Sequence, residues 1–138
     1  ILYRKNQIYI NNAFKELNIT ASELPIIMCL KYHEGVSQDD LSSFLNIDKA
    51  STTRTIQSLD KKGFIKREKD LNDRRANKIY LTKLAHGQMP EILKRLELWS
   101  EYLTDGLNEE SVNTMFNVLD SMVNKLDSDN FKTIWRNE

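Results

Sequence analysis

The sequence has few of the residues that interrupt helices or crosslink a chain. Its 138 residues include four glycines, two prolines and one cysteine, Cys29. So little glycine and proline predicts a mainly α-helical chain with short connections. One cysteine excludes a disulfide within the chain and is typical of proteins in a reducing compartment, so we predict a cytoplasmic protein.

Long apolar runs and catalytic motifs are absent as well. No segment reaches the roughly 18 consecutive apolar residues of a membrane-spanning helix, so we predict no membrane partner. The sequence contains no glycine-rich phosphate loop, no paired-histidine metal motif and no nucleophile elbow. We therefore predict that the protein is not an enzyme and that it needs no cofactor and no metal.

The charges are balanced overall but unevenly distributed. Twenty basic and 20 acidic side chains give zero net charge. Residues 48–83, however, hold eleven Lys or Arg and five Asp or Glu, a net charge of +6, and the remainder of the chain carries −6. A basic segment of this kind is the electrostatic signature of a nucleic-acid partner.

Two helices are predicted before this basic segment. Residues 2–17 mix apolar and charged side chains in an amphipathic pattern. Thr20 and Glu23 form an S/T-x-x-E capping box, which predicts the start of a second helix that ends near Gly35.

A helix-turn-helix is predicted next. Ser37, followed three residues later by Asp40, is a weaker start signal for a short helix. Asp48 caps the following helix, and Gly63 ends it by supplying a left-handed residue. Only residues 46 and 47 separate the two helices, as in a DNA-binding helix-turn-helix.

A β-hairpin and two long helices complete the predicted fold. Residues 64–69 and 77–81 are rich in β-branched, aromatic and basic side chains and flank a polar turn, so we predict two strands. A helix then runs over residues 82–104, with a kink expected at Pro90.

The last predicted helix begins at Asn108, its capping residue, and carries a continuous apolar stripe. The members of that stripe are Val112, Met115, Phe116, Leu119, Met122, Val123 and Leu126, and the tail adds Phe131, Ile134 and Trp135 at similar spacing. A chain of this length cannot bury so many apolar helix faces in one core. The surplus predicts subunit association.

The second helix of the helix-turn-helix has two distinct sides. At about 100° per residue, Thr52, Ile56 and Leu59 lie on the buried side. The opposite side is small, hydroxyl-bearing or basic, which suits contact with phosphates and base edges. We assign DNA contact there to Ala50, Ser51, Thr53, Arg54, Gln57, Ser58 and Lys61.

At the hairpin the sequence resembles the MarR family. Residues 70–82 are similar to the family's wing, with Asp73 and Arg75 as an Asp-x-Arg motif followed at fixed spacing by Leu-Thr. Residues 59–65 resemble the end of its recognition helix, and residues 107–110 fall where its last dimerisation helix opens. Thr55 departs from the apolar residue common in the family at that position.

The resemblance implies a mainly α protein with a small β-hairpin wing. It implies a single domain over residues 1–138, with a winged helix-turn-helix lobe at about 20–84 and dimerisation helices at about 1–19 and 85–138. The implied function is a homodimeric transcriptional repressor on a pseudo-palindromic operator in double-stranded DNA, modulated by a small aromatic or phenolic effector. The remaining assigned DNA contacts are Ser37, Gln38, Asp73, Arg74, Arg75 and Lys78.

Two alternatives stay open from the residues alone. The winged helix could serve as a protein-interaction module, or the protein could be a zinc- or thiol-sensing regulator of the same fold. Cys29 and His33 share one helix face, with Glu23 and His86 as conceivable further zinc ligands, but a structural cysteine is the favoured interpretation. Four aromatic side chains could line an effector pocket, although such residues more often form core or dimer interface: Tyr3, Tyr9, Tyr32 and Trp99.

Overall fold

A computed structural model describes residues 1–73 and 75–126 of the chain. These residues form six α-helices, one short 3-10 helix and a small antiparallel sheet of three strands, which confirms the predicted fold class. In chain order they are α1 (Leu2–Ala13), the 3-10 helix (Lys15–Leu17), α2 (Leu24–Tyr32), β1 (Val36–Ser37), α3 (Gln38–Leu45), α4 (Lys49–Lys61), β2 (Ile65–Lys69), β3 (Asn77–Leu81), α5 (Lys83–Thr104) and α6 (Glu109–Leu126).

The chain divides into two compact units, residues 1–96 and residues 97–138. The first unit contains the helix-turn-helix, the sheet and a continuous apolar core drawn from its helices and strands. Its most deeply buried side chains are Phe14, Ile26, Ile27, Leu30, Leu41, Ile56, Leu59, Phe64, Ile79 and Ile92.

Capping residues begin α3, α4 and α6 as predicted. Ser37 and Asp40 form a complete capping box at the start of α3, and the Asp48 side chain accepts the Ser51 N–H at 2.8 Å. Asn108 does the same for Ser111 at 2.7 Å before α6. Gly63 follows α4 with a φ of +77°, a left-handed conformation that glycine adopts without steric cost.

The first helix is shorter than predicted. It ends at Ala13, and the chain continues through the 3-10 helix to Asn18, which is left-handed with a φ of +59°. The carbonyl of the fully buried Phe14 accepts the N–H groups of both Leu17 and Ile19. Because the 3-10 turn keeps Leu17 against the core, the apolar pattern runs on past the end of the α-helix.

Only half of the predicted capping box forms at the second helix. The Glu23 carboxylate accepts the Thr20 N–H at 2.9 Å, but the Thr20 hydroxyl contacts the Ser22 hydroxyl instead. The helix proper begins at Leu24 and ends at Tyr32, earlier than the predicted end near Gly35. The Glu23 side chain is buried and has a further role described below.

The sheet has the order β1-β3-β2. The predicted hairpin is confirmed: β2 and β3 pair from Ile65 opposite Leu81 to Lys69 opposite Asn77. The strand β1 was not predicted, because two residues are too few to show a period. It pairs Val36 with Ile79 at the outer side of β3 and joins the start of the helix-turn-helix to the wing.

The predicted long helix is confirmed as α5, which contains Pro90. The kink at Pro90 stays a prediction. The predicted apolar positions Phe131, Ile134 and Trp135 lie outside the described residues. Among the residues that the structure describes, no helix is both long and apolar enough to cross a membrane.

Candidate nucleic-acid interface

The two sides of α4 are arranged as the sequence predicted. Thr52, Ile56 and Leu59 are almost fully buried. Ala50, Arg54, Gln57 and Lys61 are exposed, whereas Ser51, Thr53 and Ser58 are partly buried. The structure thus places the seven α4 residues assigned to DNA contact on accessible parts of one helix.

The N-terminal half of α4 is organised by local hydrogen bonds. Arg54 donates from Nη2 to the Ser51 hydroxyl at 2.9 Å, which orients its guanidinium along the helix. A hydrogen bond to the Ser51 side chain and one to its backbone hold the pKa of the Asp48 carboxyl below its ordinary value. Asp48 therefore stays ionised at the positive end of the helix dipole.

The two helices of the helix-turn-helix are also joined by polar side chains. Gln38, at the start of α3, donates through Nε2 to the Thr53 hydroxyl. Thr53 in turn donates to the Lys49 carbonyl at 2.8 Å. Lys49 pairs with Asp39 at 3.1 Å, in an exposed contact of small energetic value. The N-termini of α3 and α4 are thus brought together, as a duplex-binding surface requires.

Ser58 makes a hydrogen bond to a distant residue that the sequence did not indicate. Its hydroxyl donates to Glu23 Oε1 at 2.7 Å, and Lys62 Nζ lies 2.8 Å from Glu23 Oε2. A groove of about 410 Å³ runs beside these groups along α4. Its lining residues are Thr20, Ser22, Glu23, Ser51, Arg54, Thr55, Ser58 and Lys62.

The wing turn is shaped by two aspartates acting on the backbone. Asp73 Oδ1 accepts the Arg75 N–H at 2.9 Å, and Asp70 Oδ1 accepts the Asn72 N–H at 2.8 Å. The Asn72 bond is the largest influence that lowers the pKa of Asp70. The contact described between Asp73 and Arg75 is thus with the main chain of Arg75. Arg74 lies outside the described residues.

Basic side chains of the wing lie close to the start of α3. Lys78 Nζ is 3.8 Å from Asp70, and Arg67 Nε is 3.4 Å from Asp60. A second groove, of about 390 Å³, lies between the wing and α3. Four of the residues assigned to DNA contact line this groove together with Arg67: Ser37, Gln38, Asp73 and Arg75.

Of the candidate zinc ligands, Cys29 and His33 line one groove, whereas Glu23 and His86 have their partners elsewhere. Burial raises the pKa of the Cys29 thiol, which disfavours the reactive thiolate. The His33 ring packs against Phe44 with centroids 5.4 Å apart, while His86 Nε2 lies 3.0 Å from Glu34. Among the described residues, no three His, Cys, Asp or Glu side chains are grouped so as to hold a metal ion.

The comparisons with known proteins agree with this geometry. Residues 19–76 match the sequence profile of the MarR family. A solved MarR transcriptional regulator from Methanosarcina mazei Go1 is 32% identical, with 90% of this chain and 89% of that chain covered and a TM-score of 0.85. The chain belongs to the MarR family of DNA-binding transcriptional regulators.

Three further similar proteins match between 62% and 87% of this chain. The HTH-type transcriptional regulator YwoH of Bacillus subtilis is 29% identical over 72% of this chain and 73% of its own. The regulator AdcR of Streptococcus pneumoniae is 34% identical over 62% of this chain and 59% of its own. A mutant MarR from Escherichia coli, solved in complex with operator DNA, is 21% identical, covers 87% of this chain and 86% of that one with a TM-score of 0.79, and shares the fold.

Proposed function

We propose that this MarR-family protein represses transcription as a homodimer bound to a pseudo-palindromic operator. The observation that carries the proposal is the outer face of α4. Ser51, Arg54 and Gln57 are accessible to solvent on this face, and the basic wing lies next to the same helix. A helix of this kind enters the major groove, and a basic hairpin reaches an adjacent groove. A mutant E. coli MarR of the same fold was solved in complex with operator DNA, which supports operator binding as the function.

Base reading is assigned to Arg54 and Gln57 of α4, and the contacts that position the protein on DNA are assigned to other residues of α4, to the start of α3 and to the wing. Arg54 can bond a guanine edge with two donors, and Gln57 can bond an adenine edge. Ser58 takes part only as an acceptor, because its proton is donated to Glu23. Contacts to the DNA backbone or groove are assigned to Ser37, Gln38, Ala50, Ser51, Thr53, Lys61, Asp73, Arg74, Arg75 and Lys78.

The homodimer is supported by α6. Its apolar stripe is exposed to solvent, and the apolar side chains from Met115 to Leu126 are 42–57% exposed. An exposed apolar helix face of this length marks an interaction surface. Two copies related by a twofold axis would bury it and would present two α4 helices to the two half-sites. Residues 1–19 and 85–138 remain our proposed dimerisation segments, around a DNA-binding lobe at 20–84.

We further propose that a small aromatic or phenolic effector changes the affinity of the dimer for DNA. Tyr32 supports this idea, because its ring lines an open groove of about 530 Å³ together with Met28 and Phe44. Titrating phenol or benzoate into the protein–operator complex tests it. Release of DNA at constant salt supports the effector, and unchanged binding to saturation argues against it.

The central experiment selects a duplex from a random-sequence pool with the purified protein and measures its affinity across a range of salt. Affinity should fall steeply with salt, because Lys and Arg displace counterions from the phosphates. Arg54→Ala should lose about 1–3 kcal/mol on the selected duplex and much less on random duplex. Lys83→Ala, which removes an exposed charge that is outside both the assigned DNA contacts and the proposed dimerisation segments, is the matched control. Failure to enrich any sequence would favour a protein-interaction module.

A further inference from the structure

A buried carboxylate stands behind the DNA-reading helix. Glu23, immediately before α2, is only 2% exposed. Burying a charge is costly unless it is paired and hydrogen-bonded, so a buried glutamate implies a specific set of partners. The structure supplies them from two directions.

The partners of Glu23 come from its own segment and from α4. Oε2 accepts the Thr20 N–H at 2.9 Å and Lys62 Nζ at 2.8 Å, and Oε1 accepts the Ser58 hydroxyl at 2.7 Å. Lys62 Nζ also donates to the Asn18 carbonyl at 3.0 Å. Ser58 and Lys62 are four residues apart, so one carboxylate holds a full turn at the C-terminal end of α4.

Hydrogen bonding keeps this group charged. Burial acts to raise the pKa of Glu23, but the hydrogen bonds from Lys62, Ser58 and Thr20 outweigh it and leave the pKa below its ordinary value. The carboxylate is therefore ionised at neutral pH and accepts from all three donors.

Apolar packing alone would leave the rotation of α4 loosely defined. Ile56 and Leu59 anchor the helix to the core, but apolar contact is not directional. At about 6 Å from the axis, a rotation of about 20° moves a side chain by roughly 2 Å. A base contact with Arg54 does not survive such a shift, because hydrogen-bond distances vary by only about 0.5 Å.

We propose that Glu23 is a positioning residue for sequence recognition, which fixes the rotation of α4 through Ser58 and Lys62 and so aims Arg54 and Gln57 at the bases. The proposal rests on the proposed function, in which α4 reads DNA. Glu23 itself does not touch DNA in this arrangement. It acts on the ratio of affinities for the selected and random duplexes, which we call selectivity.

Glu23→Ala tests the proposal. Selectivity should fall about tenfold, since loss of one partner leaves buried donors unsatisfied and α4 free to rotate. The salt dependence should stay unchanged, because no phosphate contact is lost. Glu34→Ala, which removes an exposed carboxylate from the proposed DNA-binding lobe and is outside the assigned DNA contacts, is the control.

Glu23→Gln separates geometry from charge. The amide oxygen can accept from Thr20 and Lys62, and the amide nitrogen can donate to Ser58, whose hydroxyl accepts as well as donates. Selectivity should therefore stay within about twofold of the natural protein. Adding Ser58→Ala removes that acceptor. Expressed as a free energy, the loss of selectivity in the double variant should therefore exceed the sum of the losses in the two single variants.

All affinities are measured at a temperature where circular dichroism shows every variant to be folded. Equal losses by Glu23→Ala on selected and random duplexes would mean a purely structural role and would overturn the proposal, as would unchanged selectivity. If the natural protein enriches no sequence at all, the proposed function fails and the positioning role falls with it. If the natural protein is selective and Glu23→Ala is equally selective, the positioning role fails while the proposed function stands.

Discussion

The α4 helix and the α6 helix share one kind of sequence pattern but differ in where the pattern is buried. On α4 the apolar positions, Ile56 and Leu59, are fully buried within the first unit. On α6 the corresponding positions, such as Leu119 and Val123, are about half exposed in the single chain. Helical periodicity therefore shows that a face will be covered, and does not show what covers it.

The difference has consequences for stability. The core around α4 is complete within one chain, so its contribution to folding does not depend on protein concentration. In the proposed homodimer the face of α6 contributes through association, so its contribution to stability grows with protein concentration. In our proposal the two are linked, since the dimer sets the spacing of two α4 helices on the operator.

Charging the α6 face should have the largest effect. The double substitution Leu119→Glu and Val123→Glu places two carboxylates where the partner copy would pack, and burial of an unpaired charge costs several kcal/mol. We expect a monomer in analytical ultracentrifugation that has lost operator binding and keeps a native circular dichroism spectrum.

Asn117→Glu is the matched control, since position 117 lies about 160° around α6 from position 119. It should remain dimeric and bind DNA normally. A charged double variant that stays dimeric would contradict the assignment of this face to the dimer.

Truncating one leucine in each region sharpens the comparison. Leu41→Ala, at a fully buried site on α3, should reduce the free energy of unfolding by about 2–5 kcal/mol at every protein concentration. Leu119→Ala should instead raise the dimer dissociation constant, so its effect on thermal stability should shrink as protein is added. Melting curves recorded over roughly a hundredfold range of protein concentration, on the order of micromolar, would show whether thermal stability depends on concentration. If the thermal stability of the two variants depended on protein concentration in the same way, the core around α4 and the face of α6 would not differ as proposed.

Local rules explain how much of the fold the sequence could predict. Asp48, Gly63 and Asn108 mark helix ends through bonds to residues three or four positions away, so these ends were predicted. The buried side of α4 followed from period alone. The predicted end of α1 was wrong, because the 3-10 turn after Ala13 continues the apolar pattern of the helix beyond its last residue.

Long-range contacts explain what the sequence could not predict. The strand β1 exists because Val36 meets Ile79, which is remote in sequence. Glu23 was predicted as half of a local capping box, yet its strongest partners are Ser58 and Lys62 on another helix. The contact between Gln38 and Thr53 has the same character. No periodicity encodes such pairs.

Acid should weaken the lobe through Glu23. Its pKa is lowered in the folded protein, so its stabilising contribution is complete above the pKa of the unfolded chain and is lost as pH falls through the folded value. We expect urea midpoints to fall between about pH 7 and about pH 3.5, and to fall less steeply in Glu23→Gln. Asp40 and Asp48 also have lowered pKa values, but they are common to both proteins and cancel in the difference. Identical pH profiles would contradict the assignment.

The smallest effect is expected at the wing, where Asp73 separates shape from charge. Its carboxylate accepts the Arg75 N–H and so fixes the turn of the wing, which faces DNA in our proposal. Removing a negative charge near phosphates should by itself strengthen binding. Asp73→Ala removes both the charge and the acceptor, and we expect weaker operator binding because the turn loosens. Asp73→Asn removes only the charge and keeps an acceptor oxygen, so it should bind as tightly as the natural protein or tighter. Fluorescence anisotropy with the selected duplex distinguishes the two, and tighter binding by both variants would show that electrostatics outweighs the shape of the wing.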